Sequence, residues 1–303
     1  MNKRKYFIGC FIFLCFVAFA FLSITGLIII TGQEKNYSAY FWPDMMKGNR
    51  IGLVNIEGVI TDSRETLKKL NRFSRKKSIR GIVLRIDSPG GGIAAAQEIH
   101  REILRIREEK NIPIVTSMGN VTASGGLYIA CASDEIFANP GTITGSIGVI
   151  AEWLEYSELM KWAKLKDVVF KSGKFKDSGS GRKKVTQEEA IYFRELIDEL
   201  FKQFVKDVAE SRDLPYEAVL SMADGKAFSG QTARDLGLVD RLGNLYDAIR
   251  ATALLAGIEG EPWVVEERED EFSLLDMLVD RFVSGVIGAM EQRGRFLQFQ
   301  YRW

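Results

Sequence analysis

Residues 6–31 run for a full membrane thickness without one charged side chain, and this stretch restricts the chain more than any other feature. At about 1.5 Å per residue a helix over them spans roughly 39 Å, enough for a tilted crossing of the hydrocarbon layer. Lys3, Arg4 and Lys5 precede the run, so residues 1–5 are expected in the cytoplasm and everything after residue 31 on the outer side. Ala18-Phe19-Ala20 imitates a signal-peptidase site, but apolar residues continue well past it and make the segment too long for an ordinary h-region. The expectation is a retained anchor at 6–31, a polar linker at 32–49 and a domain outside the membrane.

That domain reads as layered α/β. Short β-rich runs at Ile51–Glu57, Gly81–Asp87, Pro113–Met118 and Glu135–Ala138 alternate with helical patterns at Ser63–Lys77, Gly92–Lys110 and Ala123–Ser133. Further strands are expected at Ile147–Trp153 and Val168–Lys171. A Gly/Ser/Lys-rich loop over Ser172–Lys184 then leads into a long helix over Gln187–Ser211, with shorter helices at Pro215–Met222, Gly230–Leu236 and Leu245–Ala256. From residue 262 to 303 the composition shifts to an acidic cluster. Leu274, Leu275, Leu278, Phe282, Val286 and Met290 follow at helical spacing, which predicts an amphipathic C-terminal helix.

Composition removes most catalytic templates. With 41 basic and 40 acidic residues the net charge is +1, so there is no electrostatic footprint for nucleic acid. Of three cysteines, Cys10 and Cys15 fall in the apolar run, and no disulfide or zinc spacing can be read. The single histidine, His100, has Arg101 and Glu102 beside it on a predicted helix and reads as a surface residue. A Ser/His/Asp triad or a two-histidine metal site therefore has little to draw on.

What remains is serine and lysine. Asp87-Ser88-Pro89-Gly90-Gly91-Gly92 leaves one predicted strand and enters a helix, exposing backbone N–H groups where a developing oxyanion is favoured. Thr122-Ala123-Ser124-Gly125-Gly126 does the same after the next strand, with the Ser124 hydroxyl at the positive end of the following helix. Taken singly, the first is also a plain turn and the second an N-cap. Together on adjacent strands they offer a nucleophile and oxyanion donors to one carbonyl. Lysine is a base only when neutral, and Lys171, Lys174 and Lys176, crowded into one loop, favour that form by mutual repulsion. A solvated basic loop is the competing description.

These segments, with Thr144-Gly145-Ser146-Ile147-Gly148 and Lys171-Ser172-Gly173-Lys174-Phe175-Lys176-Asp177, occur in the order found in signal peptide peptidase A, and residues from about Arg50 to Gly257 resemble the bacterial half-size form of that family. The resemblance implies a ClpP/crotonase-like layered domain of repeated β-β-α units over residues 50–261. It implies Ser124 as nucleophile, Lys176 as general base with Lys174 as fallback, and the Gly91 N–H in the oxyanion hole. No metal or cofactor is implied. The implied substrates are apolar peptides, above all remnant signal peptides at the membrane. The implied assembly is a homo-oligomeric ring of eight, with each Ser/Lys dyad shared between neighbouring subunits. Alternatives are a membrane-protein quality-control protease of the same family, a crotonase-like acyl-CoA enzyme and a non-catalytic ring scaffold.

Overall fold

The computed structural model describes residues 50–266. The expected anchor at 6–31, the linker and the amphipathic segment after residue 273 lie outside them. Among the described residues no helix is long and apolar enough to cross a membrane.

The chain begins with β1 (Arg50–Glu57), α1 (Arg64–Arg75), β2 (Ile79–Ser88), α2 (Ile93–Lys110), β3 (Ile114–Ala123) and α3 (Gly125–Cys131). Next come β4 (Glu135–Ala138), β5 (Ile143–Gly145), α4 (Ser157–Trp162), α5 (Gln187–Ser211) and α6 (Tyr216–Met222). β6 (Ala227–Ser229), α7 (Gly230–Asp235), β7 (Arg241–Leu242), α8 (Leu245–Leu255) and β8 (Trp263–Glu266) complete the order. The eight strands form one sheet with the path β6-β5-β3-β2-β1-β8, from which β4 and β7 branch beside β3. Every pairing is parallel except β5 with β6.

Strand alternation builds two cores. On β2, Ile82, Leu84 and Ile86 enter the larger core with Ile99, Ile103 and Ile106 of α2, while Val83 points to the smaller one beneath Ala248, Ile249 and Ala253 of α8. The β2 core residues are fully buried, and each such side chain contributes about 1.5–3 kcal/mol of transfer free energy. Burial on both faces is why these strands read as nearly unbroken apolar runs.

The expected β-β-α repeat is not the observed order, which alternates single strands and helices as far as α3. The reason is β3. Its first half pairs with β4 at Val115–Ser117, its last three residues pair with β5, and a register shift against β2 lies between. One long, offset strand thus serves two neighbours.

The strands expected at Ile147–Trp153 and Val168–Lys171 are absent; α4 lies between them and the rest is irregular. Ile150 is 78% exposed and Phe170 94% exposed, so no sheet edge or packed surface among the described residues receives them, although Ile147 at the start of the first segment is buried in the larger core. Strand propensity expresses fit to a half-buried pleated surface, and none is offered here. Residues 263–266, read from sequence as part of a C-terminal extension, form β8 and extend the sheet beside β1. The helix expected over Gln187–Ser211 forms with those limits, closed at its start by a Thr186/Glu189 capping box.

Candidate active site

Ser124 stands at the end of β3, where the chain turns into α3. Its backbone has φ 51° and ψ −118°, a conformation that costs a non-glycine residue about 1–3 kcal/mol and persists only where its surroundings enforce it. Those surroundings are specific. The Ser124 N–H donates to the Gly145 carbonyl at 2.9 Å, continuing the β3–β5 ladder, and its own carbonyl accepts from Tyr128 N–H one turn into α3. The hydroxyl makes no capping bond to the helix, so the ordinary reason for a serine at a helix start does not apply.

The glycine loop after β2 packs directly on this turn. A Cβ on Gly90 would lie 2.7 Å from Gly125 N and 2.9 Å from Ser124 Cβ; on Gly91 it would lie 2.2 Å from the Ile60 carbonyl oxygen. Only glycine permits either approach. Ile60 N–H donates to the Gly90 carbonyl and Gly92 N–H to the Ile60 carbonyl, while Ser88 Oγ accepts from Gly90 N–H. The loop is held on both sides, and the Gly91 N–H stays outside that ladder. The N–H of Gly125, first residue of α3, is the second donor at this corner, since the opening N–H groups of a helix have no intrahelical acceptor.

Asp87, at the end of β2, fixes the segment leading to Ser124. Its carboxylate accepts from Asn120 N–H at 3.2 Å, Asn120 Nδ2 at 3.0 Å and Val121 N–H at 3.0 Å. Partial burial pushes its carboxyl up, but the Val121 and Asn120 donors outweigh this and hold it below the usual range. The cleft beside Ser124 is walled by Gly91, Ile93, Ala96, Tyr128, Val149 and Phe204, with Gln97 also present. Its free volume of about 30 Å³ holds a water or two.

Among the described residues no lysine lines this cleft. Lys176 is exposed in the loop after residue 171, and Lys174 Nζ pairs with Glu188 at 2.6 Å. The expected repulsion among the loop lysines is offset by carboxylates. Lys171 and Lys183 both reach Asp177, and Lys183 also reaches Glu189 of the α5 cap. Hydrogen bonds from Lys171 and Lys183 bring Asp177 down to about 2, and those from Lys183 and the Thr186 N–H bring Glu189 to about 2. The loop is thus tied to the start of α5.

His100 corrects its sequence reading: it is 7% exposed, covered by α3 and α5. Its Nε2 lies 3.0 Å from Ser211 Oγ, its ring tilts against Tyr128 at 4.8 Å between centroids, and burial lowers its pKa to about 4. The only histidine is therefore engaged away from Ser124. Cys131 of α3 is fully buried, its thiol pushed up to about 12 by that burial. Sequence reading also passed over Ile60, Tyr128 and the structural task of Asp87. Tyr128 stands four residues after Ser124, one helical turn, which was the available signal.

The profile of peptidase family S49 matches residues 106–259. A Synechocystis sp. protein provisionally named a protease is 39% identical over 230 residues, which is 76% of this chain and 82% of that one. The chain belongs to peptidase family S49. An Enterococcus faecium protein provisionally named signal peptide peptidase SppA is 32% identical over 276 residues, 82% of this chain and 80% of that protein. A solved ClpP1 variant from Listeria monocytogenes superposes with a TM-score of 0.45 and 19% identity, covering 65% of this chain and 93% of that one. As an S49 member the protein is a serine peptidase similar to SppA, and the acyl-CoA and scaffold alternatives fall away.

Proposed function

We propose that this peptidase is anchored in the membrane through residues 6–31 and degrades remnant signal peptides with a Ser124/Lys176 dyad completed between neighbouring copies. The observation that carries the proposal is the strained Ser124 turn, whose hydroxyl makes no capping bond and which lies against a glycine loop whose Gly91 N–H stands outside the ladder with Ile60. Neutral Lys176 takes the Ser124 proton as Oγ attacks the peptide carbonyl. The Gly91 N–H, joined by Gly125 N–H, receives the oxyanion. The lysine ammonium then protonates the leaving amine, and water hydrolyses the acyl-serine by the same route.

Sharing of the dyad is supported by two features. Among the described residues the cleft holds no lysine, and the segment before the lysine loop exposes Ile150, Leu154, Trp162, Leu165, Val168 and Phe170, an apolar surface suited to burial against another copy. Exclusion of water at such a boundary favours the neutral amine. A ring of eight follows the resemblance to the half-size family members. The apolar cleft wall suits apolar substrate side chains, and an anchor formed by the uncharged run at 6–31 would keep the domain beside substrates left in the membrane.

The test is mixing of two inactive proteins, Ser124→Ala and Lys176→Ala, dissociated and reassembled together. A shared dyad regenerates sites that take serine from one variant and lysine from the other, about one quarter of the total under random assembly. Activity on a fluorogenic apolar peptide should recover to roughly that fraction of parent. A mixture as inactive as its components refutes sharing, and an active Ser124→Ala refutes the nucleophile.

A further inference from the structure

Helix α3 begins directly after Ser124, the proposed nucleophile, yet it is short and almost devoid of directional contacts. Its sequence is GGLYIAC, and all seven residues are buried. Leu127 and Ile129 pack in the larger core, a contact that resists withdrawal but fixes rotation about the helix axis weakly. Apart from the Cys131 thiol, the one side chain able to form a hydrogen bond is that of Tyr128.

The Tyr128 hydroxyl donates to Asp207 Oδ2 of α5. The ring is held on two sides: Phe204 of α5 meets it edge-on at 5.1 Å between centroids, and His100 of α2 tilts against it at 4.8 Å. Gln97 of α2 bonds the same phenol and also Gln203 of α5, at 3.1 Å. Burial, together with the Asp207 carboxylate, raises the Tyr128 pKa, so the phenol remains a donor throughout the working range. Tyr128 also walls the Ser124 cleft, and its backbone N–H holds the Ser124 carbonyl.

We infer that Asp207, acting through the Tyr128 hydroxyl, is a positioning residue that sets the rotation of α3 and thereby aims Ser124 Oγ and Gly125 N–H at the scissile carbonyl. This rests on Ser124 being the nucleophile. A turn held at φ 51° relaxes unless its neighbours over-determine it. Gly145 fixes the strand side of that turn. The Tyr128–Asp207 bond fixes the helix side, and α5, 25 residues long, is the rigid body to which it is tied.

The experiment compares parent, Tyr128→Phe, Asp207→Ala, Asp207→Asn and the Tyr128→Phe/Asp207→Ala double variant as full-length protein. Steady-state kinetics on a fluorogenic apolar peptide, the acylation rate with a serine-directed fluorophosphonate and thermal unfolding are measured on each. Tyr128→Phe and Asp207→Ala should each lower kcat and the acylation rate about tenfold, with KM within about twofold of parent. The double variant should be no worse than either single, since both remove one contact. Asp207→Asn keeps an acceptor for the phenol and should stay within about threefold of parent. Because the probe is read on folded protein below each variant's melting range, a loss of stability alone does not imitate this pattern. Parent-like acylation by Tyr128→Phe overturns the inference, as does additive loss in the double variant or failure of Asp207→Asn to preserve the rate. Mapping the probe in the parent separates the two levels: label on a residue other than Ser124 overturns the nucleophile reading and this inference together, whereas label on Ser124 with unchanged variant rates overturns only the inference.

Discussion

Replacing Gly90 by alanine should damage catalysis far more than folding. The added Cβ would meet Gly125 N at 2.7 Å, Ser124 Cβ at 2.9 Å and the Ala123 carbonyl oxygen at 3.0 Å, none of them a flexible chain end. Relief to ordinary contact requires the loop and the Ser124 turn to separate by about 0.5–1 Å. A displacement of about 1 Å at reacting groups costs on the order of 100-fold in rate, so kcat should fall by about that factor. Gly90 has φ 101°, outside the comfortable range of alanine, which adds about 1–2 kcal/mol of destabilisation. Guanidinium unfolding followed by tryptophan fluorescence, beside peptidase kinetics, measures both effects on one preparation. A Gly90→Ala protein with kcat within about twofold of parent would refute the reasoning, since the serine turn would then tolerate displacement of its neighbour.

Other outcomes test the supports of the site. Asp87→Ala leaves the Asn120 and Val121 N–H groups without their acceptor and should destabilise by about 1–3 kcal/mol, read from the denaturation midpoint; an unchanged midpoint removes Asp87 as the pin of that segment. Asp177 and Glu189 have carboxyls depressed to about 2, so the stability they lend the lysine loop is fully present above the unfolded carboxylate range near about 4 and is lost as pH falls through about 2. Cleavage within residues 171–184 by pepsin, which is active over that window, should rise between about pH 4 and 2. A loop already open at pH 5 contradicts the ion-pair assignment.

Legibility in the sequence followed the range of the interaction concerned. β1, β2, β3 and β4 with α2, α3 and α5 were readable because periodicity and turn chemistry are local; α5 closes on a Thr186/Glu189 box three residues apart. Burial of His100 was not readable from α2. Its charged neighbours Arg101 and Glu102 suggest a surface, and only packing of α3 and α5 over that helix encloses the imidazole. The strand expected at 168–171 failed for the converse reason, since Val168 and Phe170 meet no packed surface among the described residues, whereas at 147–153 Ile147 is buried in the larger core and Val149 walls the cleft without joining the sheet.

Within the site, the sequence alone determined the chemical inventory: a serine before two glycines at a strand-to-helix turn, a glycine loop on the preceding strand, one histidine too few for most alternatives, and a lysine-rich loop. Only the tertiary structure decided that Gly90 and Gly91 touch the Ser124 turn, that Gly145 holds its N–H, and that Tyr128 is gripped by Asp207 from 79 residues away. Residue identity fixes which groups can donate, accept or attack. Which of them meet depends on parallel pairing and helix packing between distant segments, a consequence of the whole core being buried at once rather than of any local pattern.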